Sequence, residues 1–172
     1  SVKEEVLEKG VSIDDCEILS TLFTNVEAIM NNLEDETYKL CKDCLFDTLD
    51  ALEQSTYKGL FYVQSELVSK IKTKEQARLY LDLLAIAFKD VLLYQMEQDI
   101  TLEVYKSTIG NIAKNVKGVD KIYSEIMLSR GKIESNISIS LLLEHIFIIS
   151  SYVLNIKLIG SIKSFYVKFD LN

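Results

Sequence analysis

No proline occurs anywhere in the 172 residues. Proline breaks helix interiors, and β-rich folds use it at turns and strand edges, so a chain without it is free to build long helices. Only six glycines are present, and Leu, Ile, Glu and Lys dominate. All but Ile are good helix formers. The length fits one ordinary domain, or a small domain beside a medium one, and 48% apolar residues suffice for a core. The fold class expected from these facts is all-α.

Hydrophobic spacing and capping residues divide the chain. Val2 to Lys9 reads as a short helix ended by Gly10. Ser12 can cap a second, with Asp14 and Asp15 in its first turn and Ile18, Leu19 and Leu22 buried, running to about Phe23. Thr24 or Asn25 caps a third, from Val26 to about Leu33. Longer helices follow. One from Asp35 to about Gln54 carries Tyr38, Cys41, Leu45, Leu49 and Leu52 at spacings of three and four. The next, from Tyr57 to Lys72, carries Leu60, Val63, Leu67 and Ile71. The longest starts at Thr73, ends near Gln98, and carries Ala77, Leu81, Leu84, Phe88, Val91 and Leu92. After a loop at 99–103 come helices at about 104–116 and 119–134, separated by Gly118. Asn136 or Ser138 caps a last, almost wholly apolar helix to about Ser151, which is expected to be surrounded by other helices or to cover a subunit interface. The tail 161–172 alternates in part, through Phe165, Val167, Phe169 and Leu171, and reads as a strand or a helix extension.

Charge separates the two ends. Residues 1–55 hold 14 acids and 4 bases, a net of −10, whereas 56–172 hold 12 acids and 15 bases, a net of +3. Clustered Lys and Arg, which a phosphate grip needs, are missing from the acidic part, and the lysines of the remainder are scattered. The opening Val2-Lys3-Glu4-Glu5 has no apolar run behind it and does not read as a signal peptide. The apolar stretch from Ile137 to Gly160 is interrupted by Glu144, His145, Asn155 and Lys157, so it reads as a buried helix plus a tail and not as a bilayer span. Three cysteines, an odd number, point to reduced thiols and a cytoplasmic setting. The abrupt start inside an amphipathic helix suggests a piece of a longer protein.

Catalytic patterns are lacking. Neither GxxxxGK[ST] nor GxGxxG occurs. The sole histidine, His145, lies on the most apolar helix, where packing or capping is its ordinary role. Cys41 and Cys44 form a CxxC, but a zinc site needs four ligands, and only Cys16 and His145 remain to complete one. Small buried side chains explain the pair as well. The carboxylate pairs Asp14-Asp15 and Glu34-Asp35-Glu36 fall at helix starts, where the helix dipole accounts for them. No cofactor and no enzymatic centre are expected.

Three segments carry a family resemblance. KGVSIDDCEILSTLFTNVEAIMNNL (9–33) resembles the lid subdomain of AAA+ proteins. LLAIAFKDVLLYQ (83–95) resembles a clamp-loader collar signature of an aromatic, Arg-Asp and leucines, here Phe88, Lys89, Asp90, Val91 and Leu92. SRGKIESNISISLLLEHIFII (129–149) resembles the closing signature of an Arg, a spacer, Asn-x-Asn and a leucine-rich helix with a Glu, filled by Arg130, Asn136, Ser138, Leu142 and Glu144. In this order the segments are similar to the C-terminal part of bacterial DNA polymerase III clamp-loader subunits of the delta-prime type. The resemblance implies a three-helix lid over residues 1–33 and a five-helix collar bundle over 34–172. It implies partners too: other clamp-loader subunits (gamma/tau and delta) through the collar, and the sliding clamp and primed DNA only through the full complex. In the family, collars of five subunits form a ring that holds the ATP-driven modules while the clamp is loaded. Departures are specific. Lys89 replaces Arg and loses its planar fork. Ser138 replaces the second Asn. Glu27 stands where nucleotide-binding members carry a sensor arginine, so this lid is expected not to sense ATP. A helical adaptor or scaffold with another protein partner is the alternative.

Overall fold

A computed structural model describes residues 1–149, and all its regular elements are helical. The tail expectation for 161–172, and the end of the last helix near Ser151, lie outside the described residues.

Three short helices open the chain: α1 (Val2–Glu8), α2 (Ile13–Leu22) and α3 (Val26–Leu33). Gly10 turns the chain between α1 and α2 at φ +83°, a conformation that favours glycine. Ser12 and Asn25 are the caps, each accepting a backbone N–H of the first turn (Asp15 and Ala28). The choice between Thr24 and Asn25 therefore falls to Asn25.

Helix α4 (Glu36–Gln54) lies at the centre, against α5 (Thr56–Tyr62), α7 (Lys74–Gln95) and α8 (Lys106–Asn115). Its expected stripe of Tyr38, Cys41, Leu45, Leu49 and Leu52 is buried, joined by Cys44 and Thr48. The Thr48 and Tyr80 hydroxyls share a hydrogen bond of 2.8 Å inside the core, so neither polar group is left unpaired. Gly59 lets α5 approach α4 closely, because a Cβ there would run into the Leu52 side chain.

The segment after Tyr57 is less regular than its spacing implies. Helix α5 passes into a π turn at Val63–Leu67 and then the short α6 (Val68–Lys70). Leu60 is only half-buried, and Tyr62 is buried instead, beside Val63, Leu67 and Ile71. Helix α7 stops at Gln95, three residues before the expected end. Glu97 takes φ +56°, and the N–H groups of Glu97 and Gln98 bond back to the Tyr94 and Leu93 carbonyls at 3.1 and 2.9 Å. This is a Schellman ending with glutamate where glycine is usual, which hid it from a reading by residue type. Helix α8 is entered through a 3₁₀ turn, Glu103–Tyr105. Helix α9 (Val119–Lys132) follows Gly118, at φ +67°, and lies along α7. Residues 139–149 form α10, which buries Leu142, Leu143, Ile146 and Phe147. Its outer side is less covered than its composition implies, with Leu141 65% exposed.

A polar seam joins α2 to α4 across the lid–collar division expected after Leu33. Lys42 Nζ lies 2.7 Å from Asp14 and 2.6 Å from Asp15, and the Tyr38 hydroxyl donates to Asp15 at 2.7 Å. The Phe46 and Tyr105 rings stack beside it with centroids 4.3 Å apart. Burial works against the ionised carboxyls of Asp14 and Asp15, but the bonds from Lys42 and Ser12 outweigh it and hold both below the usual range. A depressed carboxyl pKa contributes stability above its unfolded value of about 4, and loses it as pH falls through the folded value. Lys42→Met is therefore expected to cost about 2 kcal/mol at pH 7 in chemical unfolding. The wild-type and variant curves should converge below about pH 4. An unchanged gap at low pH would mean that the ionic contacts do not matter.

Candidate functional site

The residues singled out by sequence separate into four places. Helix α7 carries Phe88, Lys89 and Asp90 in succession, and the helical turn of about 100° per residue sends them in different directions. Phe88 is fully buried and Lys89 is exposed. Asp90 is also fully buried, where its two oxygens accept the backbone N–H groups of Thr101 and Leu102 at 2.8 and 2.7 Å. Asp90 thus fastens the loop between α7 and α8 to the side of α7.

Lys89 on α7 and Arg130 on α9 border the same cleft. Arg130 forms an ion pair with Asp82 through Nε. Lys89, Asp82 and Arg130 line one cleft of about 220 Å³ together with Thr21 of α2, Tyr123 and Met127. Asp82 and Tyr123 were not among the sequence candidates. A signal existed for Asp82, since it precedes Lys89 by two helical turns and so shares its face. Nothing local points to Tyr123.

Asn136 and Ser138 sit on the exposed link before α10. The Ser138 carbonyl accepts the Leu142 N–H at 3.0 Å, so Ser138 and not Asn136 begins the helix. Its hydroxyl shares a bond with that of Ser140 at 2.9 Å. Leu142 is buried, and half-exposed Glu144 borders a groove with Lys132, Ile137, Leu141 and His145. Glu27 lies apart, exposed in the first turn of α3. Glu27→Arg is expected to change stability by no more than about 0.5 kcal/mol. A drop of several kcal/mol in a thermal or urea melt would contradict that placement.

The cysteines are free and buried. Burial pushes the Cys41 thiol up to about 12, and it donates to the Gln76 carbonyl at 3.3 Å. Burial also raises Cys16 and Cys44. Thiolates, the forms that bind metal and attack electrophiles, are thus disfavoured at all three positions. Iodoacetamide at pH 7.5 should label the native protein at least about a hundredfold more slowly than the unfolded chain. Rapid native labelling would contradict the buried placement. Among the described residues no group of three or more His, Cys, Asp or Glu side chains converges on a metal position.

His145 Nε2 lies 3.3 Å from a Glu125 oxygen. Ser129, one turn along α9 from Glu125, has a buried hydroxyl with no hydrogen-bond partner, so it is not joined to this pair. Among the described residues no helix is long and apolar enough to cross a membrane. No protein-family model, curated protein or solved structure matches the chain.

Proposed function

We propose that the chain is a non-catalytic assembly module, the lid and collar part of a clamp-loader subunit of the delta-prime type. In this role it oligomerises through the collar to support ATP-driven loading of the sliding clamp on primed DNA. One observation carries the reading. The two segments with collar-like patterns, 83–95 and 129–149, come together where the end of α9 lies along α7, and Lys89 and Arg130 border the same cleft there. Asp82 ties the second segment to α7 through Arg130. Exposed Glu27 supports a lid that does not sense nucleotide, since a carboxylate repels phosphate.

A stable contact of this kind hides about 1,600 Å² in total. The test is reconstitution with gamma/tau and delta subunits, followed by size-exclusion chromatography. Co-elution in a stoichiometric complex is expected, and a folded chain that elutes alone overturns the proposal. The broader adaptor reading is favoured by a different feature. On α5, Phe61 is 68% exposed and borders an apolar groove with Leu60 and Gln64. Such a surface suits a protein partner outside any clamp loader.

A further inference from the structure

We propose that the cleft between α2, α7 and α9 receives a carboxylate side chain, carried on an apolar-flanked segment of a partner protein. The inference rests on the assembly reading only in that the partner is a protein.

The donors in the cleft exceed its acceptors. Arg130 presents five N–H donors, and its bond to Asp82 runs through Nε, leaving the Nη groups for another acceptor. Among the described residues neither the Lys89 ammonium nor the Tyr123 hydroxyl has a hydrogen-bond partner. Asp82, the one acid lining the cleft, is already engaged by Arg130. An incoming carboxylate, which only accepts, matches this set of unpaired donors.

Size and surroundings narrow the occupant. A cleft of about 220 Å³ holds a Glu or Asp side chain. It is smaller than the roughly 300–1,000 Å³ of typical small-molecule sites. Its walls include Ala85, Ile86 and Met127, and Met127 is 45% exposed. A flexible thioether at the rim adapts to an apolar neighbour of the acid. A nucleic acid fits poorly. Phosphate backbones need several cations in a row, and here two stand beside Asp82 on a chain of net charge −7.

The experiment follows backbone amide shifts of the ¹⁵N-labelled chain during titration with a short alanine-based helical peptide carrying one Glu flanked by leucines. Shifts should cluster at Lys89, Tyr123, Met127 and Arg130. They should fade in high salt and be absent with the Gln version of the peptide. Lys89→Glu, at an exposed position, should leave the melting temperature unchanged and weaken peptide binding about tenfold. Equal binding of the Gln peptide, shifts elsewhere, or an unaltered Lys89→Glu variant would each overturn the proposal. A single-stranded oligonucleotide that perturbs the same amides and displaces the peptide would overturn it in favour of a nucleic-acid surface. Self-association lost on Lys89→Glu would overturn the choice of a different protein as partner. Reconstitution with gamma/tau and delta is scored separately. A complex without peptide binding defeats this inference alone, and peptide binding without a complex defeats only the clamp-loader reading.

Discussion

Asp90→Ala is expected to destabilise the protein by about 3–5 kcal/mol, measured as a lowered urea midpoint with unchanged slope. Two backbone N–H groups, those of Thr101 and Leu102, bond to its carboxylate, and that of Leu102 is buried. Alanine removes both acceptors, and each orphaned buried donor costs about 1–3 kcal/mol. The loop they hold follows the Schellman ending of α7 and leads into α8. Its release should therefore also open residues 96–102 to proteolysis. Asp90→Asn keeps one acceptor oxygen and should fall between wild type and Ala. A loss below about 1 kcal/mol for Ala would show that water can replace the carboxylate, contrary to its full burial.

Leu142→Asp should have an effect at least as large, and its neighbour supplies the control. Leu142 is 6% exposed on the inner side of α10, whereas Leu141 is 65% exposed. An unpaired carboxylate at Leu142 would be driven into the core among Leu143, Ile146 and Phe147, at a cost of several kcal/mol. Total stabilities of such domains are only about 5–15 kcal/mol. The variant is thus expected in the insoluble fraction, or to melt without a cooperative transition. Leu141→Asp should stay soluble, with stability within about 0.5 kcal/mol of wild type. Equal behaviour of the two variants would mean that α10 is not seated as described.

The helices were legible because their determinants are local. The stripe from Tyr38 to Leu52 repeats at three and four, and Ser12 and Asn25 are residue types whose side chains bond free helix N–H groups. What escaped was set by tertiary contact or by an unusual residue in a familiar place. Glu97 ends α7 in a conformation that glycine normally marks, so the helix read three residues too long. Tyr62 took a buried place read as that of Leu60, because the π turn shifts the face of its helix. At the candidate site, Lys89 and Arg130 were picked singly, from segments far apart in the chain. That they share a cleft with Tyr123 depends on how α9 lies along α7, which no spacing within either helix encodes.

The π turn at Val63–Leu67 has a consequence for how this chain can change length. A π turn holds one more residue than the α turn it replaces, with hydrogen bonds reaching five residues back. The helix from Thr56 to Lys70 therefore runs in two angular phases, one for Tyr62 and the α4 contact, another for Leu67 and Ile71. Removing one residue within the turn would restore a regular helix and keep both ends near their present places. Removing one elsewhere in α5 would rotate everything beyond it by about 100° and turn Leu67 out of the core. The irregular turn is thus the place in this helix where a single-residue insertion or deletion is best absorbed.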